Sequence, residues 1–155
     1  SNSLVVVVPE GADAEIRGPR DLLAFDRIAL PDPEAVPAGV YARRWLEAEG
    51  LWTELEPRVV PALDVRANLA AVASGGLPAG VVYATDAAVS DRVEVVYRVP
   101  GPPAGSGPEI VYWAAPVTGG DREAAGRFLA FLQAPEAGEV FRRFGFRHLT
   151  TEAGR

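Results

Sequence analysis

The stretch from Asp32 to Trp52, DPEAVPAGVYARRWLEAEGLW, restricts the possible folds more than any other part of the chain. It opens on an Asp-Pro turn, passes through Val-Pro-Ala-Gly, and becomes an amphipathic helix that Gly50 stops. Tyr41, Trp45 and Leu46 recur on one side, and Arg43, Arg44, Glu47 and Glu49 fill much of the other. The start of the helix carries the chemistry. Pro37 precedes the first turn, and small Ala38 and Gly39 leave the first backbone N–H groups uncovered. Those groups have no acceptor inside the helix, and the helix dipole puts partial positive charge on them. A small anion fits there against bare backbone. The plain alternative is a tidy helix start that binds only water.

Around this stretch, strand-like and helix-like runs alternate. Leu4–Val8 is apolar and β-branched, ends at Pro9, and predicts a buried strand. A polar loop follows to Gly18, then a short helix from Arg20 to Phe25 behind Pro19, and a strand over Arg27–Leu30. After the Asp32 stretch come a helical piece over Leu51–Glu56 and a brief strand over Arg58–Pro61. Asp64 is placed to cap a helix running through Val72, with Val65, Leu69 and Val72 on one face. Gly80–Tyr83 reads as a buried strand, with Thr85 or Asp86 capping a single following turn, and Arg92–Val99 as another strand. Three prolines and three glycines in Gly101–Pro108 predict a surface loop. Glu109–Val117 reads as a long strand. Asp121 caps a helix over Arg122–Gln133 with Phe128, Leu129 and Leu132 inward. Pro135 starts the last helix, with Val140, Phe141 and Phe144 on its apolar side. The polar tail after Phe146 is expected to fray. The alternation predicts an α/β architecture with a largely parallel sheet.

At 155 residues, with 48% hydrophobic and 23% charged residues, the chain supports a core of ordinary size. A net charge of −6 argues against nucleic acid or an anionic membrane as the main partner, and requires any anion site to work through local dipoles. With no cysteine, neither disulfides nor cysteine-based metal sites arise. No apolar run is long enough to span a membrane. The Ser-Asn-Ser opening is expected to be an artificial boundary, with any leader already removed.

Catalytic patterns are not found. His148 is the single histidine and is expected to be solvated in the tail. Nucleophile-elbow, Walker and dinucleotide fingerprints are missing. The prolines of Gly101–Gly107 remove the donors a phosphate cradle needs. Glu34, Asp64 and Asp86 sit at turn or cap positions, and Arg142-Arg143 forms a charged face beside Glu136 and Glu139.

The segments DPEAVPAGVYARRWLEAEGLW, EPRVVPALDVRANLAAVASGGLPAGVVYATDA and EIVYWAAPVTGG followed by EAAGRFLAFLQAPEAGEVFRRFGF together resemble the periplasmic molybdate-binding proteins of ABC transporters. VPAGVYA, DVRANLA and VVYATDA are the most specific parts. The resemblance covers Leu4 to Phe146. It implies the type II periplasmic binding protein fold, two lobes that close on a tetrahedral oxyanion, and a binding role without catalysis or cofactor. The implied ligand is molybdate or tungstate, the implied partner an ABC membrane permease, and the implied location periplasmic or otherwise extracytoplasmic. Carried over by motif, Ala38 and Val65 offer backbone N–H groups and Tyr83 its phenol hydroxyl, so the metal is held only as its oxyanion. An oxyanion-sensing effector domain of a transcription regulator is the alternative.

Family members begin with loops that supply two serine hydroxyls from the first lobe, and none of Ser1, Ser3, Ser74, Ser90 and Ser106 matches them. The chain is therefore expected to be the second lobe, residues 9–108, with residues 1–8 and 109–155 belonging to an incomplete first lobe. Half a site implies weak binding of molybdate or tungstate, or none. Apolar surface around Phe128, Leu132, Phe141 and Phe144 is expected to be covered by self-association or by swapping of the terminal segments. Asp64, where the family often has Asn, sets a carboxylate beside the anion site. Trp113 stands where the family often has Pro.

Overall fold

Five consecutive apolar residues make β1 (Leu4–Pro9) a strand buried on both faces, and Leu4 to Val8 are all closed to solvent. The computed structural model, which describes residues 1–149, seats this strand between two others. The remaining elements follow as β2 (Ile28–Pro31), α1 (Pro37–Ala48), α2 (Trp52–Leu55), β3 (Val59–Ala62), α3 (Val65–Ala73), β4 (Gly80–Tyr83), α4 (Ala84–Ala87), β5 (Val93–Arg98), α5 (Arg122–Gln133) and α6 (Pro135–Arg143). A 3-10 turn, Pro19–Ala24, precedes β2, and another, Glu56–Arg58, precedes β3. The chain divides into a larger unit, Ser3–Glu109, and a smaller one made of Ser1–Asn2 and the chain from Ile110 onward. The division falls at residue 3 rather than residue 9, because β1 pairs with strands of the larger unit.

In the larger unit the strand order is β3-β2-β4-β1-β5. β2 runs parallel to β3 and β4, whereas β1 is antiparallel to both β4 and β5. The expected largely parallel sheet is thus mixed. An unbroken apolar run marks a doubly buried strand but carries no mark of direction, which is set by neighbours distant in sequence. One face packs on α3 and α4, where Val72 and Leu77 meet Val5, Val7, Ala29 and Val82. The opposite face receives α1, whose Trp45 and Leu46 are buried. The β1–β5 register shifts between Val6 and Val7, so that Tyr97 and Val95 sit opposite adjacent residues of β1. This bulge turns Tyr97 to the α1 face, where its ring stacks on Trp45 with centroids 6.2 Å apart. The Gly101–Pro108 loop is tied back by the Ser106 hydroxyl, which donates to the Glu49 carboxylate.

In the smaller unit, Asp121 caps α5 by accepting from Glu123 N at 3.0 Å and Ala124 N at 2.9 Å. Three expectations fail here. Glu109–Val117 is not a strand: Ile110 makes one bridge to Asn2, and residues 111–117 have no ladder. A strand exists only against a neighbour, and no neighbouring strand flanks this run among the described residues. Trp113 is consequently 91% exposed. Phe128 does not face inward but is exposed, as are Phe131, Val140 and Phe144. His148 is not free in solvent. Its Nε2 lies 2.8 Å from the Leu132 carbonyl oxygen and its ring stacks on Phe141, which fastens the end of the described chain to α5 and α6. The expected fraying concerns residues 150–155 as well, which lie outside the described residues.

Candidate functional site

Three strands end at one edge of the sheet, and each delivers one of the residues singled out in the sequence. β3, β2 and β4 are adjacent and run the same way. The register pairs Pro31 with Ala62 and Ala29 with Gly80, so the next residues on, Asp32, Leu63 and Tyr83, lie at one level. From that level β2 leads to α1 and Ala38, β3 leads to α3 and Val65, and β4 ends on Tyr83.

At α1, Asp32 folds the approach, its Oδ1 accepting from Glu34 N at 2.8 Å and Ala35 N at 3.2 Å, while Val36 N donates to the Asp32 carbonyl at 3.0 Å. Val36 at the cap position has an apolar side chain and makes no cap bond, and Pro37 occupies the first helical position. The first amides of the turn are those of Ala38 and Gly39. Gly39 has no room for a side chain: a Cβ there would overlap the carbonyl oxygens of Pro31 and Asp32 and lie 2.6 Å from the Asp32 carbonyl carbon. The start of α1 is therefore pressed against the end of β2.

At α3, Asp64 caps as expected, its Oδ1 accepting from Ala67 N at 2.8 Å. That bond uses the third amide of the turn and leaves those of Val65 and Arg66 at its mouth. Thr85 and Asp86 do not cap α4; the cap position is Tyr83 itself. Asp86 is half-buried, and loss of solvent raises its carboxyl above the ordinary range, partly countered by the positive charge of Arg66. Arg66, in the first turn of α3, is thus near Asp86 of α4, the turn that follows β4. Among the described residues there is no cluster of three or more His, Cys, Asp or Glu that would hold a metal ion. Glu34 reaches only toward Arg43, at 4.0 Å, on the surface.

Two further residues shape this edge. Gly39, read from the sequence only as leaving the first amides bare, is one, through its close approach to the end of β2. Asn68, in the second turn of α3, is the other: it is wholly buried, and its Nδ2 donates to the Val81 carbonyl at 2.7 Å. Asparagine is a poor residue inside a helix, and that was the available signal.

Helix N-termini gathered beyond the C-terminal ends of parallel strands form the place where open α/β sheets receive ligands, and the larger unit has the architecture of one lobe of a ligand-binding protein. The chain belongs to the bacterial extracellular solute-binding protein family, whose pattern matches residues 1–147. This is a family of binding proteins, not of enzymes, that work outside the cytoplasm. It is 40% identical over 151 residues to the molybdate-binding protein ModA of Escherichia coli, covering 94% of this chain and 58% of that protein. It is 38% identical over 146 residues to a putative ABC transporter substrate-binding lipoprotein, YvgL, of Bacillus subtilis, covering 94% and 55%. The substrate-binding domain of a putative molybdenum ABC transporter from Clostridium difficile superposes with a TM-score of 0.78 at 26% identity, over 96% of this chain and 64% of that one. The periplasmic molybdate-binding protein of Azotobacter vinelandii shares the fold, with a TM-score of 0.67 at 24% identity over 94% and 64%. The fold class is therefore the type II periplasmic binding fold, and the chain spans little more than half the length of the curated relatives it matches. Among the described residues no helix is long and apolar enough to cross a membrane.

Proposed function

We propose that the chain is the oxyanion-gripping part of a solute-binding protein for molybdate or tungstate, serving an ABC importer from the periplasm or the outer face of the membrane. The observation that carries this reading is the level edge at which α1 starts, α3 starts and β4 ends. Ala38 and Val65 contribute backbone N–H groups and Tyr83 its hydroxyl. The similarity to proteins named for molybdate supports the choice of ligand. The dianion is held by dipoles, and the carboxylates at this edge are turned to backbone donors, Asp64 toward Ala67 N and Asp32 toward Glu34 N and Ala35 N.

Three charge-assisted hydrogen bonds contribute about 1.5–3 kcal/mol each, or roughly 5–9 kcal/mol together. Lost translational and rotational freedom takes back at least about 4 kcal/mol. The remainder, at most about 1–5 kcal/mol, corresponds to a dissociation constant between roughly 0.2 mM and 0.2 M, far weaker than a site completed from two lobes. The test is titration of the isotopically labelled chain with sodium molybdate, tungstate and sulfate, followed by amide resonances. Shifts at Ala38 and Val65 with both heavier oxyanions support the reading. No shift at either amide up to several hundred millimolar, at constant ionic strength, would sink it.

The membrane permease is the partner this role requires. Self-association is the second. On α6, Glu136 and Glu139 lie toward the start and Arg142 and Arg143 at the end, with exposed Val140 between them. Antiparallel pairing with α6 of a second copy sets acids against arginines and buries Val140 and Phe144, an isologous contact of opposite charges around an apolar centre.

A further inference from the structure

Pro31 leaves a gap in the ladder between β2 and β4. In a parallel pair, one residue donates to the partner strand and the next donor on the same strand is two residues on. Ala29 N donates to the Ala79 carbonyl at 2.9 Å, so the following rung needs the N–H of residue 31 to reach the Val81 carbonyl. Residue 31 is proline and has none. The Val81 carbonyl cannot turn to β1 instead. Ala84 N donates to the Ser3 carbonyl at 2.9 Å, and bonding alternates along an antiparallel pair, so Val82 and not Val81 faces β1. The Val81 carbonyl thus points into the seam beside Pro31, where Asn68 Nδ2 meets it at 2.7 Å.

We propose that Asn68 is a positioning residue of the oxyanion site, supplying the rung that Pro31 omits and clamping the first turns of α3 to the end of β4. The inference rests on the oxyanion reading above. Asn68 lies three residues after Val65, and Val81 two residues before Tyr83, so one side-chain bond fixes the amide of one ligand-facing residue relative to the hydroxyl of the other. Close approach makes the bond possible: a Cβ on Gly80 would lie 2.8 Å from Val72 Cγ2, one turn along α3 from Asn68. Because Pro31 has no N–H to continue the parallel ladder past Ala29–Gly80, the bond from Asn68 is the link that the Val81 carbonyl receives at this level, and it ties α3 to β4. Its Oδ1 has no protein partner, so the amide is committed through its nitrogen.

The experiment compares the full chain with Asn68→Leu, Pro31→Ala, the double variant, and Leu55→Ala, a core truncation in α2. Thermal melting reads the rung and molybdate titration by amide resonances reads the positioning. Asn68→Leu melts lower, and Pro31→Ala restores part of that loss by returning an N–H to the seam. Equal effects of Pro31→Ala with and without Asn68 overturn the rung. In the titration Asn68→Leu binds about tenfold more weakly, the scale on which outer-shell partners act, with the Val65 shift reduced more than that of Ala38. Leu55→Ala, destabilised without touching the edge, keeps the parent affinity. Unchanged affinity in Asn68→Leu overturns the positioning role while leaving the oxyanion reading intact. Absence of any molybdate shift in the parent chain overturns both.

Discussion

Gly39→Ala separates the demands of the helix from those of the site. In an unconstrained helix, alanine is favoured over glycine by about 1 kcal/mol. At this position the new Cβ lies 2.6 Å from the Asp32 carbonyl carbon, against a normal contact near 3.5 Å, so the first turn of α1 must retreat by about 1 Å. The obstacle is backbone, which no rotamer relieves, and forced overpacking of this kind costs about 1–3 kcal/mol. The net expectation is a loss of about 0–2 kcal/mol, not the gain that propensity alone predicts. The effect on the ligand is larger in proportion. A hydrogen bond lengthened by about 1 Å is no longer one, and an amide bonded to a dianion contributes about 1.5–3 kcal/mol, so molybdate affinity falls by about ten- to a hundredfold. Chemical denaturation and molybdate titration of the same samples measure the two terms. Gly126→Ala is the control: it lies in α5, its Cβ meets nothing within 4 Å, and it should stabilise by about 0.5–1 kcal/mol. A Gly39→Ala chain that is as stable as Gly126→Ala and binds molybdate like the parent would refute the argument from close approach.

Asp64→Asn retains the cap, so stability should change by only a few tenths of a kcal/mol, about the difference between good caps. Removing its charge should strengthen oxyanion binding about threefold at low salt and less at high salt, read by the same titration. Asp86→Asn should raise the melting temperature at pH 7. Burial lifts the folded carboxyl above its unfolded value, so ionisation destabilises the native state as pH rises through that interval, and the gain should vanish near pH 3, where both states are protonated. Sedimentation of the chain should show concentration-dependent dimers that Val140→Asp with Phe144→Ser abolishes; a monomer at all concentrations counts against the α6 contact.

Local chemistry was legible in the sequence and long-range partnership was not. Asp64 was readable as a cap because a cap depends on three residues, and its bond to Ala67 is as expected. The helix over Pro37–Ala48, its buried Trp45, and the strands Ile28–Pro31 and Gly80–Tyr83 were readable from period and punctuation. The run over Glu109–Val117 has the composition of a strand but lacks a strand to lie against, and composition does not report neighbours. Phe128 follows the helical period of a core residue, yet period gives a face, not what lies opposite it. His148 looks like a tail residue in the sequence because its contacts, Leu132 and Phe141, come from two helices packed in space. At the site, Ala38, Val65 and Tyr83 were carried by motif, and the topology brings their elements to one edge. The roles of Gly39 and Asn68 depend on how closely backbone segments approach, which spacing does not encode.

The position of β1 has a consequence for how such a chain comes into being. Leu4 lies opposite Tyr83, and Val5 opposite Arg98, so the most deeply shielded strand is made well before either of the strands that flank it. Until the roughly ninety residues that follow it have been made, about 5–20 s at typical elongation rates, a sticky pentapeptide waits unpaired. Early binding of that strand by a holding chaperone, or export before the sheet closes, would protect it through the interval.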